Sequence, residues 1–226
     1  ARRVLEVAAA GRHGLLLEGP PGAGKSLLAR CLPSILPDLG EEAALEVTRI
    51  RSAAGLLDST ERLSLRPPLR APHHTASAAA VVGGGHPIRA GEVTLAHQGV
   101  LLLDEAPEFA RNVLEALRQP VQDGSVTIAR SDQVLRLPSR FQLVATRNPC
   151  PCGMDGSQRD SCLCTPVARD TYRNRLSGPL LDRIALVTWV DPVPASELLA
   201  TAPGESSQTV RGRVNEADGI LRSFQP

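Results

Sequence analysis

Short, uninterrupted apolar runs alternate along the chain with stretches of helical spacing. Leu15-Leu16-Leu17, Val100-Leu101-Leu102-Leu103, residues 141–146 and residues 185–190 are such runs. Each predicts a strand buried on both faces, as in a parallel sheet covered by helices. Between them, Arg2–Ala10 predicts a helix ended by Gly11, and residues 25–32 predict another, terminated by Pro33 and Pro37. Residues 41–50 have helical spacing around Leu45, with a Glu-rich start that suits the helix dipole. Residues 75–82 predict a helix broken by Gly83-Gly84-Gly85, and residues 107–118 an amphipathic helix with Val113, Leu114 and Leu117 inward. Residues 126–129 and 134–137 flank Arg130-Ser131-Asp132-Gln133 and predict a β-hairpin. The Pro- and Arg-rich stretch 51–75 carries no clear pattern. Strands separated by helices point to an α/β fold with right-handed crossovers. Beyond Pro194 the composition turns polar, and residues 205–221 predict one more helix.

Composition narrows the classes. Hydrophobic residues make up 42% and charged ones 22% of 226 residues, enough for one or two folded domains and unlike a disordered tail. No apolar run approaches the ~20 residues that cross a bilayer, and the first ten residues lack a signal-peptide pattern, so no membrane partner is expected and the setting is cytoplasmic. A net charge of +1 provides no global field toward nucleic acid. DNA binding would need a local patch, or several copies around a ring. Aromatics at 2% argue against base-stacking platforms. No internal repeat is evident.

The sharpest signal is Gly19-Pro20-Pro21-Gly22-Ala23-Gly24-Lys25-Ser26, which fits G-x-x-x-x-G-K-[ST] between a predicted strand and a predicted helix. Glycines let successive backbone N–H groups converge on a β-phosphate, and the helix N-terminus adds a favourable dipole. Pro21, Gly22, Ala23, Gly24, Lys25, Ser26 and Leu27 are therefore the expected ATP-binding residues. Lys25 would bridge the β- and γ-phosphates, and Ser26 would ligate Mg²⁺. Asp104, at the end of the 100–103 strand, can complete the Mg²⁺ shell, and Glu105 can polarise a water for attack on the γ-phosphorus. Asn148 follows the 141–146 strand, where an amide could orient that water; a turn before Pro149 would use the same residue. Arg183, just before the last strand, could reach the γ-phosphate held by a neighbouring subunit, or make a surface salt bridge.

Four of the five cysteines, Cys150, Cys152, Cys162 and Cys164, fall within fifteen positions. Zinc favours four tetrahedral thiolates, and a looped chain can bring two C-x-C pairs together as a structural clip. Free thiols or two disulfides are the alternatives, the latter disfavoured in a cytoplasmic setting. Cys31 reads as an ordinary buried thiol; His73 and His74 either line the interior of a ring of subunits or simply hydrogen-bond backbone, the latter being the expectation.

Five segments carry a resemblance: GPPGAGKS from Gly19, APHHTAS from Ala71, GEVTLAHQGVLLLDEAPEF from Gly91, NPCPCG from Asn148 and SGPLLDRI from Ser177. With them, residues 1 to about 213 resemble the magnesium-chelatase-like AAA+ ATPases of the ComM (YifB) type. The resemblance implies an AAA+ P-loop core over residues 1–194, with 195–226 a linker and the start of a helical lid. It implies Asn148 as sensor 1, Arg183 as an arginine finger acting in trans, and a homo-hexameric ring that translocates DNA in branch migration during natural transformation. The 125–137 hairpin would face the pore and offer Arg130 to DNA, a solvated turn arginine being the other reading of that residue. A metal-insertion motor, as in magnesium chelatase itself, and a nucleotide-dependent assembly module are the alternative functions. Full-length members carry a Lon-protease-like domain before this core and a complete lid after it, so the chain is expected to be the ATPase core of a longer protein. Two departures stand out: Ala185 replaces the usual acidic residue after the finger, and Thr146-Arg147 replace a more apolar pair.

Overall fold

A computed structural model describes residues 1–57, 63–130, 133–156, 161–176, 178–194 and 204–224, with every side chain in them but those of Arg130, Gln133, Pro179 and Arg222. The four apolar runs are strands: β1 (Leu15–Glu18), β5 (Val100–Leu103), β8 (Gln142–Arg147) and β9 (Leu186–Trp189). With β2 (Leu69–Arg70) they form a parallel sheet in the order β2-β5-β8-β1-β9. Every residue of β5 and nearly every residue of β1 and β8 is buried, because helices cover both faces.

Alternate strand residues divide between two cores. Leu16, Leu101, Leu103, Leu143 and Ala145 pack with Val81, Val113, Leu114 and Leu180, from α4 (Ala78–Val82), α6 (Arg111–Ala116) and α9 (Gly178–Leu181). Leu15, Leu17, Val100, Leu102 and Val144 pack with Leu5, Leu32 and Val214, from α1 (Arg2–Ala10), α2 (Lys25–Ile35) and α10 (Ser207–Ser223). α3 (Glu41–Ala53) buries Ala44 and Val47 in a satellite cluster and leaves Leu45 half exposed, so its inward face lies one position away from Leu45.

Several expectations are corrected. Pro33 does not end α2, which runs to Ile35 and stops before Pro37. The single helix expected over 107–118 is three pieces: a 3-10 turn (Ala106–Glu108), α6, and α7 (Arg118–Asp123). The division at Leu117 has a local cause, since Pro120 has no N–H for the carbonyl four residues back at Ala116. The Gly83 break is itself structured: β3 (Gly83–Gly84) pairs antiparallel with β4 (Arg89–Ala90), and α5 (Glu92–Leu95) follows. The predicted hairpin is present as β6 (Ser125–Arg130) paired with β7 (Gln133–Pro138). α8 (Pro166–Arg173) was not expected; Thr165 caps it by accepting from the Ala168 amide. Among the described residues, no helix is long and apolar enough to cross a membrane.

Candidate functional site

Three functional segments leave the same end of the sheet because β8 lies between β5 and β1. The phosphate loop follows β1, Asp104-Glu105 follows β5, and Asn148 follows β8. In the loop, Gly22 and Gly24 take φ of +75° and +84°, and an added Cβ at either would meet nothing, so their role is backbone conformation rather than close packing. Lys25 opens α2 and is only 7% exposed. Its Nζ donates to the carbonyls of Gly19 and Pro20, both at 2.8 Å, and to Asn148 Oδ1 at 3.0 Å. These occupy the three protons of an ammonium. Burial pulls the Lys25 pKa down, partly countered by the carboxylates of Glu105 and Asp104. Ala23 is buried, Ser26 half-buried, and Pro21, Gly22 and Leu27 are exposed.

Ser26 Oγ donates to Asp104 Oδ1 at 2.6 Å, joining loop and strand end. The same Asp104 oxygen accepts from Thr146 Oγ1 at 2.7 Å, and Thr146 Oγ1 in turn accepts from the Glu105 amide at 2.8 Å. That amide belongs to a residue in the left-handed region, φ +54°, whose side chain is exposed. Thr146, seen in sequence only as a departure, therefore holds both acidic residues. Its companion Arg147 pairs with Glu18 at 2.9 Å across the β1–β8 register, each side chain 14% exposed. The two polar residues at the end of β8 are partnered components of this sheet edge.

Beyond Asn148 the chain enters the cysteine cluster. The four Sγ atoms of Cys150, Cys152, Cys162 and Cys164 lie within 4.8 Å of one another. Cys150–Cys152 is 3.4 Å, and Cys150–Cys162 and Cys152–Cys162 are both 3.7 Å. A tetrahedron with Zn–S bonds of 2.3 Å has edges of roughly 3.8 Å. The Cys150, Cys152 and Cys162 sulfurs are thus close to zinc-binding spacing, with Cys164 within 4.8 Å of them. The Met154 amide, helped by Cys150 and Cys164, draws Cys152 down to about 6. At Cys162 the Cys164 amide also pulls downward, but desolvation and the neighbouring sulfurs prevail and push it up to about 12. A divalent cation would remove that conflict by making every sulfur a thiolate. The cluster is tied down by Asp155, which pairs with Arg169 and Arg173 of α8, both at 2.9 Å.

A family model described as magnesium chelatase, subunit ChlI, matches residues 1–198. The chain belongs to the magnesium chelatase family. It is 47% identical over 218 residues to YifB of Escherichia coli and 44% identical over 215 residues to the competence protein ComM of Haemophilus influenzae, covering about 95% of this chain in each case. It spans 42% of the length of those relatives. A 38 kDa magnesium-chelatase subunit of Acidiphilium rubrum is 29% identical over 157 residues, 60% of this chain.

The remaining expected residues of this family member lie away from the loop. Arg183 is exposed in the turn that leads into β9, where the Leu186 amide bonds to Gly14 O at the start of β1. That is the opposite end of the sheet from Lys25. Arg130 ends β6 at the hairpin tip, where its side chain lies outside the description, as do residues 131 and 132. His73 accepts from the Thr75 amide and its Nδ1 lies 2.9 Å from Thr75 Oγ1, while the His74 ring meets Phe109 edge-on. Cys31, expected buried, is exposed: it lies on the outward side of α2, whose inward residues are Ala29, Leu32 and Ile35.

Proposed function

We propose that the chain is the ATP-binding and ATP-hydrolysing motor core of a homo-hexameric AAA+ machine that translocates DNA, acting in branch migration during natural transformation or recombination. The observation that carries the nucleotide reading is the Ser26–Asp104 contact beside buried Lys25. Two oxygens that would share one Mg²⁺ are already together, next to the cation that would meet the phosphates. A β,γ-phosphate would exchange for the carbonyl partners of Lys25 Nζ, compensating the desolvation that burial imposes on the ammonium. Glu105 is the base toward water, Asn148 orients that water while bonded to Lys25, and Thr146 holds Asp104 and the Glu105 backbone in place. Arg183 serves the site of an adjacent subunit. Cys150, Cys152, Cys162 and Cys164 would hold Zn²⁺ through four thiolates as a structural centre.

The likeness to a competence protein over nearly the whole chain supports DNA rather than a porphyrin partner as the target, since the chelatase subunit is matched less closely and over less of the chain. Six copies of Arg130 around a pore would give a near-neutral protein a salt-sensitive phosphate grip. ATPase of the full-length protein should rise with branched or single-stranded DNA. Arg130→Ala should lower DNA affinity and flatten its salt slope while nucleotide binding stays intact. Equal rates with and without DNA, together with stimulation by a porphyrin-binding subunit, would establish the metal-insertion motor instead.

A further inference from the structure

The cysteine loop is not a remote clip. It begins at Asn148, whose side chain holds Lys25 Nζ, and reaches the first cysteine two residues later. Gly153, in the turn closed by its own amide onto Cys150 O, lies directly over the phosphate loop. A Cβ at Gly153 would come within 2.5 Å of Pro21 Cδ and 2.6 Å of Pro21 Cγ, and its φ of +79° suits glycine. A little further on, Gly156 lies against the Trp189 ring at the end of β9, 3.3 Å from the nearest carbon to an added Cβ. The loop therefore runs from the end of β8, over Pro21, to the end of β9. α8 holds it from behind: Arg173 Nε donates to Pro149 O, and Tyr172 of the same helix is buried.

From this contact we infer that metal occupancy of the four cysteines regulates nucleotide affinity at the phosphate loop. Four thiolates on one ion fix the 148–153 turn. That turn sets Pro21 through Gly153 and Lys25 through Asn148. Without the ion, the sulfurs no longer hold one arrangement, and the two contacts that shape the loop slacken together. The inference rests on the nucleotide and zinc readings above and adds that the two sites are coupled. Coupling between binding equilibria is reciprocal, so bound nucleotide must strengthen zinc binding by the same factor.

The test uses the full-length protein. A fluorescent ADP analogue is titrated with Mg²⁺ in excess, before and after zinc is stripped by a zinc-selective chelator, with far-UV circular dichroism reporting the fold. The expected result is a Kd weakened about 5- to 150-fold, the usual range of coupling between sites, and zinc released to a chromogenic chelator less readily by that factor when Mg·ADP saturates the protein. An unchanged Kd in protein shown to have held and lost zinc overturns the coupling and leaves the zinc reading standing. Absence of metal by elemental analysis, with none taken up on addition, overturns both. A Kd beyond measurement for zinc-loaded protein overturns the nucleotide reading and the coupling with it. Should stripping unfold the protein, Gly153→Ala decides the matter, because it keeps all four thiols. Loss, in this variant, of the tighter zinc retention that saturating Mg·ADP gives the wild type supports the coupling, and an undiminished effect of Mg·ADP on zinc retention overturns it.

Discussion

At the scale of single residues, the site is a chain of dependencies in which Lys25 and Asp104 are each held by neutral partners. Lys25 is buried beside Glu105 and Asp104, which counter its desolvation only in part. Phosphate oxygens would complete that compensation, so Lys25→Ala should abolish the rise in melting temperature that saturating Mg·ATP gives the wild type. A variant still stabilised to the same extent would remove Lys25 from the phosphate site. Thr146 is a subtler case, fully buried with its hydroxyl donating to Asp104 and accepting from the Glu105 amide. Thr146→Val keeps the shape and removes both bonds, leaving the amide unpaired. The expected cost is about 1–3 kcal/mol of stability by denaturant unfolding, with weaker Mg²⁺ dependence of nucleotide binding. A fully stable variant with wild-type Mg²⁺ dependence would show that Thr146 is only filling space.

At the scale of elements, the docking of α10 is electrostatic at its edge. Arg213 pairs with both Glu6 of α1 and Glu205, and Arg211 pairs with Asp38, around the buried Val214. Hydrogen bonding to Arg213 holds the Glu6 and Glu205 carboxyls below their ordinary value of 4.5. Groups whose pKa is depressed by folding stabilise above their unfolded value and lose that contribution as pH falls through the folded one. Amide hydrogen exchange along 207–223 should therefore quicken relative to the central strands as pH drops below about 4.5, after correction for the intrinsic pH dependence of exchange. Arg213→Ala should show the faster relative exchange already at neutral pH. Equal protection of α10 in both proteins at both pH values would make the ion pairs incidental.

The same scale explains what could be read from the chain. Four strands were legible because a sheet covered on both faces writes itself as continuous apolar runs. β2 was not: two half-buried residues after Pro67-Pro68 carry no period, and only pairing with β5 makes them a strand. The division of α6 from α7 is legible in Pro120, whereas Pro33 shows that one proline near a helix end need not stop it. The phosphate loop, Asp104 and Glu105 announce themselves through local spacing. Thr146 touches Asp104 across 42 residues of sequence, and Gly153 touches Pro21 across a still longer gap, so both needed the β5-β8-β1 neighbourhood to become visible.

At the scale of the whole molecule, the parallel sheet separates two parts of the proposed chemistry. Lys25, Asp104 and Asn148 gather where β1, β5 and β8 end; Arg183 precedes β9, which runs parallel and in register with β1. Four strand residues place roughly 13 Å of sheet between those two ends, so Arg183 cannot serve the phosphate of its own chain without dismantling β9. An arginine that acts at all must then act on a neighbour, as closed rings with head-to-tail interfaces permit. Subunit mixing tests this directly. Full-length Glu105→Gln lacks the base but keeps the arginine, and Arg183→Ala lacks the arginine but keeps the base, so each should be inactive alone. In mixed rings, a site with Glu105 intact can receive Arg183 from its Glu105→Gln neighbour. With equal amounts and random order, roughly a quarter of the sites would be complete, and DNA-stimulated ATPase should recover to about that fraction of wild type. Mixtures no more active than either parent, with mixed rings verified by native mass spectrometry, would rule out action in trans and return Arg183 to the surface salt bridge that its exposed position also allows.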